Sequence, residues 1–450
     1  MQENLLDQMR RAIEPLRHIH LSGHVIGVSA ATVLCSCDTS ETRVGDRAVL
    51  HTGAGKRLGE VVRLDQTGAH LIIDGATDGV SISDPVVFQP APAFAPHEGW
   101  IGRVIDPDGK PLDGRPLLPA ASTRDINAAA PPSHQRRGLG HRLETGLAVF
   151  NTLLPLVRGQ RVGLFAGSGV GKSMLLADLA RGVDADVIVI ALVGERGREV
   201  GHFVQNVLGD NGMKRAVVVA ATSDSGPQVR RRCALSAMAA AESFRDAGQH
   251  VLLLIDSVTR FCEAHRELAV ASGESANLRG YPASTGPAIA RLCERAGPGS
   301  GASGDITAVF SVLVAGSDME EPVADMLRGV LDGHIVLDRE IAERGRFPAV
   351  DVVRSVSRAL PDAANDKENE IIARARALLG TYARSEMMVQ AGLYVAGSDP
   401  MLDAAISAAP ALDSFQTIKD ARGTLAHFAK LRQAIATSPM RPDATQGTAG

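Results

Sequence analysis

Aromatic side chains are scarce in this chain: one Trp, three Tyr and eleven Phe among 450 residues. So thin a supply argues against a broad platform on which bases could stack. Positive charge is not in excess either. Lys and Arg number 47 against 51 Asp and Glu, a formal net charge of -4, so no global attraction to a phosphate backbone exists and no nucleic-acid partner is expected. The five cysteines, Cys35, Cys37, Cys233, Cys262 and Cys293, are odd in number and scattered, which reads as reduced thiols and not as a disulfide framework. Cys35 and Cys37 form a C-x-C pair, but no second pair or histidine cluster completes a tetrahedral zinc site. Long apolar runs are missing too. None approaches the roughly 18 residues that span a bilayer, and the opening "MQENLLDQMRRAIEPL" lacks the apolar stretch of a signal peptide. The chain is expected to be neither secreted nor integral to a membrane.

What is present is ordinary globular material, 45% hydrophobic and 22% charged, in a chain long enough for about three units. Leu5, Leu6, Met9, Ile13 and Leu16 recur at three- and four-residue steps, the spacing of a short amphipathic helix that docks either on its own domain or on a partner. From Gly23 to Phe88, short runs such as "HVIGVSAATVL", "RAVLHT" and "AHLIID" alternate with turn residues and predict a small β-barrel. A proline-rich linker follows, and "GRVIDPDGKPLDG" carries the turn chemistry of a hairpin. Between residues 160 and 360, runs apolar on both faces ("QRVGLFAG", "DVIVIALVG", "RAVVVAATS", "HVLLLIDS", "ITAVFSVLVA", "GHIVLD") are separated by helical stretches. That alternation predicts a mostly parallel sheet covered on both sides. Beyond "LPDAANDKENE" the chain reads as alanine-rich helix to about Ile435, and "TSPMRPDATQGTAG" as a disordered tail.

Within the sheet region four motifs carry chemistry. Gly167, Ser168, Gly169, Val170, Gly171, Lys172, Ser173 and then Met174 follow the apolar run "VGLF" and lead into "LLADLAR", a strand, loop and helix that can hold a nucleotide. Glycines let backbone N–H groups converge on phosphate oxygens at the helix start, Lys172 reaches the β- and γ-phosphates, and the Ser173 hydroxyl can ligate Mg2+. In "VLLLIDS", Asp256 ends a buried strand, the place from which a carboxylate holds the metal directly or through water. In "VIVIALVGERGREV", Glu195 lies just past a buried strand, able to orient and deprotonate the attacking water. In "VVRSVSRALPD", Pro361 opposes a helix that would pair Arg358 with Asp362, and the arginine is either a surface residue or one that could reach phosphates of a neighbouring subunit.

Together these segments, with "VVVAATSDSGPQVR", "RGYP", "DGHIVLDREIAERGRFPAVDVVRSVSR" and "GLYVAGSDPMLDAAI", make a chain that resembles, over nearly its whole length, the hexameric ATPases of type III protein export, relatives of the rotary ATP synthase catalytic subunits. The resemblance implies an α/β fold: a RecA-like, mostly parallel core at 95–360, an N-terminal helix at 1–20, a small β-barrel at 21–94, a C-terminal helical domain at 361–436 and a disordered tail at 437–450. It implies ATP and Mg2+ as ligands, Lys172 and Ser173 as the phosphate and magnesium residues, Glu195 as catalytic base and Asp256 as the metal-associated acid. It further implies that Arg196 and Glu199 support the γ-phosphate and the metal's water shell, and that Arg358 is an arginine finger acting in trans. Because both Glu195 and "SVSR" stand in one chain, identical copies could complete one another's sites, so a homohexamer is expected.

The family also implies a dimeric regulator at the N-terminal helix, a central stalk protein, export chaperones and substrates at the C-terminal domain, and an export gate at the cytoplasmic face of the inner membrane. The flagellar branch is preferred, with the virulence injectisome as the alternative and a ring-shaped RNA translocase as a more distant one. A non-catalytic nucleotide-binding subunit is disfavoured by Glu195. Met174 after the loop serine, Ala283 in "RGYPAST", Ser317 in "AGSDMEEP" and the pair after Arg358 depart from the family pattern. None of these changes a catalytic group.

Overall fold

The computed structural model describes residues 20–117, 122–314 and 319–436. The expected N-terminal helix up to residue 19, the tail from 437 and Ser317 lie outside these described residues. The chain divides into two compact units, one of residues up to 137 with 185–313 and 320–330, the other of 138–184 with 314–319 and 331 onward. In chain order the strands are β1 (Leu21–Val28), β2 (Val33–Cys35), β3 (Arg47–Thr52), β4 (Gly55–Asp65), β5 (Gly68–Ile73), β6 (Pro85–Gln89), β7 (Arg103–Ile105), β8 (Arg161–Ala166), β9 (Val187–Glu195), β10 (Ala216–Thr222), β11 (His250–Asp256), β12 (Ala276–Leu278), β13 (Tyr281–Pro282), β14 (Gly297–Pro298), β15 (Asp305–Leu313), β16 (Gly333–Leu337) and β17 (Val350–Ser357).

In the first unit, β1 to β6 close the expected barrel in the order β1-β2-β5-β4-β3-β6. The run "HVIGVSAATVL" becomes two strands because Ser29 to Thr32 fold back, the Ser29 N–H donating to the Thr32 carbonyl at 2.8 Å. Alternation along the strands sends Val25, Val33, Ala48, Leu50, Val61, Leu71, Val86 and Phe88 inward. Each buried Val, Leu or Phe among these contributes roughly 1.5–3 kcal/mol. Gly23 is required at a close approach, since a β-carbon there would run into the Ser36 carbonyl.

The same unit holds a sheet in the order β15-β11-β9-β10-β7, all four pairings parallel, with β14 antiparallel beside β15. Its central strands are buried along nearly their whole length, as a sheet covered by helices demands. The long helix Pro227–Asp246 starts with proline at its first turn and buries Cys233, Ala237, Met238 and Phe244. The expected hairpin after the barrel forms only in part. Its first arm, β7, joins the sheet edge in parallel with β10, and the return arm is reduced to a bridge between Ile105 and Pro111. Four charges tie barrel to sheet: Arg47 of β3 contacts Glu60 at 2.7 Å and Asp108 at 2.5 Å, and Arg232 of the long helix contacts the same two acids.

The second unit has β8 parallel to β16 and β16 antiparallel to β17. The mostly parallel expectation therefore holds with an antiparallel edge at β17, a strand the sequence hides because Arg354, Ser355 and Ser357 interrupt its apolar pattern. Three helices, Asp366–Gln390, Pro400–Gln416 and Gly423–Ile435, complete this unit. Asn365 and Glu368 form a capping box at the first, and Asp399 caps the second before its leading proline. Among the described residues no helix is long and apolar enough to cross a membrane.

Candidate active site

The phosphate loop lies in the second unit. Strand β8 is buried from Val162 to Ala166 and delivers the chain to Gly167. Gly169 and Gly171 have φ of 77° and 87°, the left-handed region that glycine enters without penalty. Gly171 then caps the helix Lys172–Gly182, whose first turn holds no acidic residue and receives no side-chain cap. Uncapped N–H groups at a helix start attract anions. Leu175, Leu176 and Leu179 bury the inner face of that helix, while Ser173 and Met174 are exposed, Met174 at 54%. The amide groups of Gly167 to Met174, with Lys172 and Ser173, are thus presented as one continuous loop and helix turn.

One neighbour of this loop escaped the sequence reading. A β-carbon on Gly171 would lie 3.2 Å from Cδ1 and Cε1 of Phe347, so the ring sits directly against the loop, yet it is 42% exposed. A large apolar ring left open beside a phosphate loop can pack on a purine. The signal available in the sequence was an aromatic residue in "RFPAV" in a chain with so few aromatics.

Arg358 belongs to the same unit, immediately after β17. Its backbone N–H donates to the Asp332 carbonyl at 3.1 Å and its Nη1 to the Leu331 carbonyl at 3.0 Å. The residue is exposed although its guanidinium is held to the chain through Nη1.

Glu195, Arg196, Glu199 and Asp256 lie in the first unit. Strand β9 is buried up to Glu195, which emerges half-buried. Just before it Gly194 has φ of 69°, and a β-carbon there would meet Arg230 and Arg260 at 3.5 Å. Arg260 was also missed. It pairs with Glu263 at 2.8 Å, and this hydrogen bond first, with Glu195 contributing less, raises its pKa above the ordinary guanidinium value. Arg196 and Glu199 are both exposed and meet each other at 3.3 Å on the short helix Gly197–His202.

Asp256 ends β11, 3% exposed, and its Oδ1 accepts a 2.6 Å hydrogen bond from the hydroxyl of buried Ser311 on β15. That bond fixes the carboxylate's orientation, a role the sequence could not reveal because the strands pair across 55 residues. The described residues contain no cluster of three or more His, Cys, Asp or Glu that could hold a metal ion by themselves. The Ser173 hydroxyl in the second unit and the Asp256 carboxylate in the first are, each taken by itself, hard oxygens. They suit Mg2+, which keeps waters and phosphate oxygens as its remaining ligands, and do not suit zinc.

Residues 146–357 match the ATP synthase alpha/beta family, nucleotide-binding domain, and residues 364–435 match the T3SS EscN ATPase C-terminal domain. The chain is 43% identical over 398 residues, 88% of its length and 84% of the other, to a flagellum-specific ATP synthase of Agrobacterium fabrum. It is 41% identical over 401 residues, 87% of its length and 89% of the other, to a type 3 secretion system ATPase of Pseudomonas syringae pv. syringae. Among solved structures it is similar to the assembled ATPase EscN of the enteropathogenic E. coli type III secretion system, with TM-score 0.85 and 33% identity over 92% of this chain and all of that one (100%). EscN in complex with its central stalk EscO gives TM-score 0.81 at 33% identity, covering 92% of this chain and 100% of that one.

Proposed function

The chain belongs to the ATPases of flagellar and type III protein export, and from that premise we propose how it works: as a homohexameric ring hydrolysing ATP to ADP and phosphate to energise export of flagellar components. The observation that carries the reading is the phosphate loop, with two glycines in left-handed conformation feeding an uncapped helix start. In this reading the amides of Gly167 to Met174 and the Lys172 ammonium bind the β- and γ-phosphates, and Phe347 packs on the base. Ser173 and Asp256 would hold Mg2+, with Ser311 orienting Asp256 and Glu199 supporting the ion's water shell. When bound, the ion neutralises charge on the phosphate oxygens. Glu195 accepts the proton of the attacking water. Arg196 supports the γ-phosphate, and Arg260, behind Gly194, positions the Glu195 turn. Arg358 of a neighbouring copy stabilises the charge that builds on the transferred phosphoryl group.

Hydrolysis at this site is tested by Glu195→Gln, which should retain ATP binding and lose turnover; retained turnover would remove Glu195 as the base. The flagellar assignment is tested by complementation: in a strain lacking its own copy, wild type restores swimming and Lys172→Ala does not. Restored virulence secretion with no swimming would favour the injectisome instead. Single-stranded RNA should leave the rate unchanged.

The assembled EscN and its stalk EscO support a ring and a stalk partner for this chain as well. The N-terminal helix would bind a dimeric regulator, and the C-terminal helices would receive the stalk, chaperones and substrates. As in the family, the ring would work in the cytoplasm, held peripherally at the inner membrane by the export gate.

A further inference from the structure

In the first unit a cavity of about 550 Å³ opens between the segment at Asn127 and the helices Pro227–Asp246, Val258–Ala271 and Thr285–Glu294. Leu235 and Phe261 give it apolar walls, and Arg231, Arg291, His265 and Asn127 give it a polar one. Most charges at its border are already neutralised. Arg295 is held by Glu242 through two hydrogen bonds of 2.9 and 2.7 Å, and Glu294 is paired with Arg136 at 3.2 Å. His265 donates from Nε2 to the Ser284 hydroxyl at 2.9 Å, because that hydroxyl spends its own proton on Glu274 at 2.6 Å. Burial and then Arg231 keep the imidazole pKa below its ordinary value, so it adds no cation near neutral pH.

Arg231 and Arg291 are left over. Arg231 is half-buried and Arg291 exposed; neither guanidinium makes a hydrogen bond or ion pair with any described residue, and among the described residues the Asn127 carboxamide has no hydrogen bond either. The acid whose field reaches Arg231, Glu60, is already engaged by Arg47 and Arg232. For half-buried Arg231 the missing counter-charge carries a cost, exposed Arg291 keeps its hydration and adds a second cation, and guanidinium forks suit carboxylate and phosphate oxygens.

We propose that this cavity is an oxyanion-binding site, taking a carboxylate or phosphate head between Arg231 and Arg291, with apolar atoms of the ligand against Leu235 and Phe261. The oxyanion comes either from a free small anion or from an acidic side chain of a second copy of this chain. The site lies outside the nucleotide machinery assigned above and goes beyond the hydrolysis reading.

The test is thermal unfolding of the full chain, saturated with ADP so that the phosphate loop is filled, and titrated with malonate as the probe. A dicarboxylate at high concentration stabilises any fold by exclusion, so the readout is the difference between wild type and Arg231→Met. With a free anion as ligand, saturating malonate raises the wild-type Tm by about 2 °C more than that of Arg231→Met. Arg291→Ala weakens the malonate response, and Arg231→Met without malonate melts above wild type because the uncompensated charge is gone. If the oxyanion belongs to a second copy, dilute wild type ignores malonate, while both variants need about tenfold more protein to assemble in sedimentation. Equal malonate responses in all three proteins with unchanged assembly would overturn the site.

Discussion

At the scale of single residues, the loop and its neighbours make separable contributions. Lys172→Ala should lower kcat by about 10³ or more, since electrostatic stabilisation of the transferred phosphoryl group is the main catalytic term in this chemistry. Phe347→Ala should act differently. If the ring packs on the base, KM for ATP rises about tenfold, roughly 1.4 kcal/mol, with kcat nearly unchanged; a loss confined to kcat would contradict the contact. Ser311→Ala removes the hydroxyl that fixes Asp256. The half-saturating Mg2+ concentration should rise several-fold, corresponding to about 1 kcal/mol, with near-normal kcat at saturating metal, and an unchanged magnesium titration would remove Ser311 from this role. The loop residues were legible in the sequence because a contiguous motif places them. Phe347, Arg260 and Ser311 were not, because each reaches its place through folding of distant segments, and an aromatic residue or an arginine in a loop carries no local mark of what it will face.

At the scale of elements, the apolar runs foretold the buried strands β8, β9, β10, β11 and β15 well, since burial on both faces leaves a continuous hydrophobic signature. Pairing was less legible. Nothing local says that β7 will leave its hairpin for the edge beside β10 in the first unit, or that β17, interrupted by Arg354, Ser355 and Ser357, will pair antiparallel with β16 in the second. The ionic tie between barrel and long helix was equally invisible, being assembled from Arg47, Glu60, Asp108 and Arg232. Glu60→Gln would leave two largely buried guanidinium groups sharing one acid, and should destabilise the first unit by about 3 kcal/mol. Calorimetry on the nucleotide-free protein checks this, and a transition at the wild-type temperature would show that the tie is energetically slack. At the other end of the chain, Asn365→Ala opens the capping box and should cost about 1 kcal/mol in the second unit alone.

At the scale of the whole molecule, one chain carries both Glu195, the proposed base, and the exposed Arg358, and in the proposed ring these two meet in active sites shared between copies. Specific activity should therefore climb with protein concentration, and Arg358→Ala should stay low at every concentration, because such fingers contribute about 10³ to 10⁵ in rate. The most direct test mixes two inactive proteins, Glu195→Gln and Arg358→Ala, after dissociating each to subunits. In mixed rings some interfaces join an intact Glu195 from one protein to an intact Arg358 from the other, and activity should return well above that of either variant alone. If the mixture, with co-assembly verified, stays as inactive as its components, the arginine does not act across the interface and the shared-site account is wrong.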